Sequence, residues 1–133
     1  MARTILIVED NEANLKMFNV LLRLEGYETL QSTDGKDVIE LVGKHRPDLI
    51  LMDIHLVDHS GLDLTRCLKA DPSLASIPVI AVTAFAMQGD EEMILAGGCD
   101  AYLSKPVDIS VFLKTVARFI SADTAARLTV AVA

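Results

Sequence analysis

Cysteine and positive charge are both scarce in this 133-residue chain. The only two cysteines, Cys67 and Cys99, lie far apart in sequence. A cysteine-based metal framework needs closely spaced pairs, so none is expected, and both thiols are read as buried. Lys and Arg number 12 against 19 Asp and Glu, a net charge of -7. That balance argues against nonspecific binding to nucleic acid or to an anionic membrane surface. Long apolar runs are also missing, so no segment is expected to insert in a membrane. The start, Met1-Ala2-Arg3-Thr4, leads directly into a strand-like segment, without the apolar stretch and cleavage site of a signal peptide. A cytoplasmic location is the resulting expectation. There is no internal repeat or linker, and the length fits one domain.

What the chain does have is apolar sequence, 51% of the total, enough for a sizeable core. Its periodicity alternates. Ile5–Val8 and Leu49–Met52 are short continuous apolar runs, the pattern of strands buried on both faces. Pro78–Val82 and Ala101–Leu103 read the same way. Glu28–Ser32 is more polar and is placed nearer a sheet edge. Between them the period changes to that of helices. Leu15, Phe18 and Leu22 share one face before a stop at Gly26. Val38, Leu41 and Val42 point inward in a helix that Asp34 is expected to cap. Ser60 is expected to cap a helix from Gly61 to about Ala70, and Gly89–Ala96 forms a fourth. Ile109, Phe112, Leu113, Val116 and Ile120 mark a fifth amphipathic helix. Five strands alternating with five helices predict an α/β fold with a parallel sheet. Residues 1–121 are read as this domain and 122–133 as a tail, a frayed helix end or disordered.

In such a sheet, ligands bind beyond the carboxyl ends of the strands. Glu9 and Asp10 come just after strand one, Asp53 ends strand three, Thr83 ends strand four and Lys105 comes just after strand five. Each residue alone has an ordinary reading: a helix cap, a loop acid, a strand-end threonine, a surface lysine. Together they form one site. Three carboxylates in one cleft repel one another unless a cation neutralises them. Mg²⁺ suits oxygen ligands and keeps positions open for phosphoryl oxygens; Mn²⁺ is the substitute ion. Lys105 adds positive charge and Thr83 a hydroxyl donor. A carboxylate in that setting can act as a nucleophile and form an aspartyl phosphate.

Four motifs, in this order and spacing, resemble the receiver domain of two-component response regulators: Val8-Glu9-Asp10-Asn11, Leu51-Met52-Asp53-Ile54, Val82-Thr83-Ala84 and Leu103-Ser104-Lys105-Pro106. The resemblance covers nearly the whole chain to about Ser121. Within the family, Ile7–Glu12, Ala81–Met87 and Gly97-Gly98-Cys99 look most like the DivK-like single-domain regulators. The resemblance implies a doubly wound (βα)5 fold with strand order 2-1-3-4-5. It implies that Asp53 accepts a phosphoryl group from a phosphohistidine of a histidine kinase or histidine phosphotransfer protein. Asp10, Asp53 and the backbone carbonyl of His55 would hold Mg²⁺, with Glu9 acting through a water. Thr83 and Lys105 would meet the phosphoryl oxygens, small Ala84 would leave room for them, and Lys105–Pro106 would be cis. Tyr102 would be the switch aromatic.

The sequence departs from the family pattern at Val57, where many relatives have proline, and at His59, where an apolar residue is usual. His55 and Phe85 occupy the positions that tune phosphoryl lifetime in the family, and bulky Phe85 is expected to shield the acyl phosphate from water. His55 also fits an ordinary exposed loop histidine. With no effector domain expected, output would pass to a downstream protein through the face of the fourth helix, fifth strand and fifth helix. The protein is then a phosphoacceptor switch and not an enzyme that turns over a substrate. Three alternatives compete. A flavodoxin-like cofactor binder would want a phosphate-cradling loop after strand one, where Glu9-Asp10 would repel a phosphate. A haloacid-dehalogenase-type phosphatase would want an acid where His55 stands. A degenerate receiver acting as a scaffold would not need Asp53 and Lys105.

Overall fold

The structure, a computed structural model, describes residues 3–56, 60–84 and 90–132, without the side chains of 90, 91 and 121–132. The expectations for Val57, His59, Phe85 and Gly89 lie outside the described residues. Five strands alternate with five helices: β1 (Thr4–Val8), α1 (Glu12–Leu24), β2 (Glu28–Ser32), α2 (Val38–His45), β3 (Leu49–Asp53), α3 (Gly61–Ala70), β4 (Val79–Thr83), α4 (Asp90–Ala96), β5 (Ala101–Ser104) and α5 (Ile109–Val132). The strands form one parallel sheet in the order β2-β1-β3-β4-β5. The polar strand β2 is at an edge, as its composition implied.

Alternation along each strand sends side chains to two separate cores. Ile5, Ile7, Leu49, Leu51, Ile80 and Val82 pack with Leu15, Phe18 and Leu22 of α1 and Phe112, Val116 and Ile120 of α5. Leu6, Val8, Ile50, Met52, Val79 and Ala81 face α2, α3 and α4. Because both faces are covered, β3 and β4 are buried along their whole length, which explains their unbroken apolar sequence. Phe18 and Phe112 stack across the first core with ring centroids 5.0 Å apart, joining the first and last helices.

Helix ends obey local chemistry. Asn11 caps α1 by accepting from Asn14 N–H, and Ser60 caps α3 by accepting from Asp63 N–H. Gly26 turns the chain out of α1 with φ +91, a conformation that favours glycine. Three readings are corrected. Asp34 does not cap α2: its carboxylate accepts from Lys36 N–H in a tight local turn, and Asp37 stands at the N-cap position. Ile109 is half exposed, because it is the first residue of α5 and the helix begins to pack on the sheet at Phe112. Cys67 is exposed while Cys99 is buried, since Cys67 lies on the outer side of α3. The fifth helix runs from Ile109 to Val132.

Candidate functional site

Parallel strands end together, so the carboxyl edge of the sheet gathers the residues at and just past each strand end. Asp53 and Thr83 are the last residues of β3 and β4. Glu9 comes directly after β1, and its backbone N–H donates to Ser32 O at the end of β2. Lys105 comes directly after β5, and its N–H donates to Thr83 O at 2.8 Å. Glu9, Asp53 and Thr83 are buried polar groups in an otherwise apolar interior. Such groups need partners.

For the two acids, Lys105 supplies them. Its ammonium donates to Glu9 Oε1 at 2.7 Å, Glu9 Oε2 at 3.0 Å and Asp53 Oδ2 at 3.2 Å, which uses all three of its hydrogens. The other Asp53 oxygen, Oδ1, accepts from the backbone N–H of His55 at 3.0 Å. Glu9 Oε1 also accepts from Asn14 Nδ2 at 3.1 Å. One oxygen from each of Glu9, Asp10 and Asp53 can lie within 4.8 Å of the others. Oxygen donors grouped so closely fit a hard divalent cation.

The charge balance reflects this crowding. Burial, together with the Asp53 carboxylate, pushes the Glu9 carboxyl up to about 7, although Lys105 and Asn14 pull it down. Burial works to lower the Lys105 ammonium, but hydrogen bonding and attraction to Glu9 and Asp53 outweigh it and hold it above its ordinary value.

The expected site residues Glu9, Asp10, Asp53, Thr83 and Lys105 thus come together at one edge. His55 contributes its backbone to Asp53 while its side chain is exposed, as the loop reading allowed. Ala84 is exposed at the end of β4. Lys105–Pro106 is cis. Tyr102 is half-buried against the α2–α3–α4 core and lines a groove with Pro106, Val107 and Val111. Sequence reasoning missed Asn14 and Gly61. A Cβ on Gly61 would collide with the backbone carbonyl of Asp53 and lie 2.8 Å from Ile54 Cα. The absent side chain lets α3 begin directly against the end of β3. Its signal in the sequence was a glycine beside a helix cap.

Comparison with known proteins agrees with this geometry. The family model described as the response regulator receiver domain matches residues 5–117. The chain is 52% identical over 120 residues to the polar-differentiation response regulator DivK of Brucella anthropi, covering 90% of this chain and 98% of the relative. The DivK of Brucella ovis is 51% identical over the same length. Among solved structures, the chain resembles the receiver domain of a Pseudomonas aeruginosa PAO1 sensor histidine kinase, which has a magnesium ion coordinated in its active site cleft. That match has a TM-score of 0.83 at 35% identity and covers 91% of this chain and 99% of the other. A response regulator receiver domain protein of Methanospirillum hungatei JF-1 matches with a TM-score of 0.84 at 28% identity, covering 94% and 98%. The chain is a signalling switch protein of two-component systems and belongs to the response regulator receiver domain family.

Proposed function

We propose that Asp53 accepts a phosphoryl group from a phosphohistidine of a histidine kinase or histidine phosphotransfer protein. The observation that carries this is the shared ammonium of Lys105, which joins Glu9 and Asp53 in one buried acidic cluster. Transfer forms a bond from an Asp53 oxygen to phosphorus and breaks the bond from phosphorus to the donor imidazole. His55 N–H orients the Asp53 carboxylate. Lys105 neutralises charge on the incoming oxygens, and Thr83 donates its hydroxyl to one of them. Asp10, Asp53 and the backbone carbonyl of His55 would hold Mg²⁺, with Glu9 acting through a water and Mn²⁺ as a substitute. The cation, when bound, offsets the negative charge of the transferring group.

Output in this reading is a change of surface and not turnover. Tyr102 turns inward as Thr83 engages the phosphoryl group, and a cytoplasmic downstream protein reads the face of α4, β5 and α5. Residues 1–121 carry the switch, and 122–133 form a tail on α5. Exposed Met93 on α4 and Val111 on α5 support this face as a contact surface. Among the described residues, no helix is long and apolar enough to cross a membrane.

Incubation with acetyl phosphate and Mg²⁺, followed by intact mass measurement, tests the assignment. Wild type gains one phosphoryl group and Asp53→Asn gains none. Equal gain by the variant overturns the role of Asp53.

A further inference from the structure

The geometry points to Asn14 as a positioning residue that holds the Glu9 carboxylate in place for the cation site. The inference rests on the reading of Glu9 given above. Glu9 is almost fully buried, and its side chain has two donors, Lys105 and Asn14. These donors differ in kind. Lys105 sits on a long flexible stem, and its three hydrogens are divided between Glu9 and Asp53. When it turns toward a phosphoryl group on Asp53, its bonds to Glu9 weaken or break.

Asn14 cannot leave in the same way. It sits in the first turn of α1, and its own backbone N–H donates to the Asn11 side chain at 2.9 Å. The residue that caps the helix therefore fixes the residue that holds Glu9. Asn11 is next to Asp10 in the chain, so the cap also anchors the segment carrying both acids. The Asn14 amide is neutral. Unlike Lys105, it orients Glu9 without cancelling the negative charge that a cation needs. A buried carboxylate left with one departing partner would reorient or take up a proton; the Asn14 amide provides the partner that stays.

Isothermal titration with Mg²⁺ on the unphosphorylated protein tests this, beside acetyl-phosphate labelling over a range of Mg²⁺ concentrations. Asn14→Leu keeps the size and the helix but removes the donor, and Asn14→Gln keeps a donor on a longer arm. Outer ligand partners typically change metal affinity by about 10-fold or more. Asn14→Leu should weaken Mg²⁺ binding about tenfold and raise the half-saturating Mg²⁺ to match, with the labelling rate at saturating Mg²⁺ near wild type. Asn14→Gln should recover part of the affinity. Unchanged Mg²⁺ binding in Asn14→Leu overturns the inference. So does a lower saturated rate with unchanged binding, or equal loss in both variants. Failure of the wild type itself to bind Mg²⁺ or accept the phosphoryl group would instead overturn the reading of the site.

Discussion

Lys105 lies closer to Glu9 than to Asp53, at 2.7 Å against 3.2 Å. In the resting site the lysine is thus chiefly a counter-ion to the buried glutamate, and only secondarily a partner of the residue that reacts. Lys105→Met removes the cation from between two buried carboxylates. Breaking a buried pair by deleting one partner costs about 3 kcal/mol, less whatever Glu9 recovers by taking a proton. The variant should melt lower than wild type without metal. Mg²⁺ should raise its melting temperature more than it raises that of wild type, because two acids have lost their internal neutraliser. Equal Mg²⁺ stabilisation of both proteins would contradict this.

Glu9 gives the metal-free protein a pH dependence. Its carboxyl, raised to about 7, binds a proton more tightly folded than unfolded. Stability is therefore highest at the acid end of this window, falls as pH climbs from the ordinary carboxylate range, and levels off above about 7. Mg²⁺ requires the deprotonated form, so its stabilising effect should grow over the same window. Thermal melts between about pH 5 and pH 8, with chelator and with Mg²⁺, should diverge as pH rises. Glu9→Gln should flatten the chelator curve.

Gly61 and Gly43 should respond in opposite directions to the same added methyl. A Cβ at Gly61 meets the backbone of Asp53 and Ile54, whereas one at Gly43 in α2 meets nothing within 4 Å. Gly61→Ala should cost ~3 kcal/mol by overpacking and slow labelling of Asp53, whose carbonyl must move aside. Gly43→Ala should stabilise by up to ~1 kcal/mol through helix propensity and leave labelling unchanged. Denaturant melts and labelling rates of the two variants provide the check.

The two thiols should separate cleanly in a maleimide reaction. Cys67 is exposed and Cys99 buried, and burial raises the Cys99 thiol above its ordinary value. One thiol should react under native conditions and both in denaturant. Rapid native labelling of Cys99 would mean that the contact between α3 and the turn after α4 opens readily.

The strands were legible because β1, β3 and β4 are covered on both faces and therefore carry unbroken apolar runs; their order was implied by the resemblance to receiver domains and not by the runs themselves. The site was legible for a related reason: Asp53 ends an apolar strand, and only a group at the sheet edge has a use there. Residues that act through position were harder to read. Asn14 looks like any polar residue in the first turn of a helix until Glu9 is seen 3.1 Å away. Cys67 and Ile109 lie in apolar patterns whose phase is decided by tertiary contacts, so composition placed them inside when the fold leaves them exposed. Asp34 could cap a helix or a turn, and only the start of α2 at Val38 decides between the two.

The strands β4 and β5 are joined at both ends. Asp100 N–H donates to Val79 O, and Val79 N–H returns a bond to the Asp100 carboxylate, each at 2.8 Å. Lys69 seals that corner by donating to Asp100, Ala75 O and Ile77 O. At the opposite end Lys105 N–H closes onto Thr83 O. The two strands are thus tied to each other at both ends, while β4 is paired with β3 on its other side. A displacement of the Thr83 backbone is therefore felt directly at Lys105, whose own N–H is bonded to the Thr83 carbonyl.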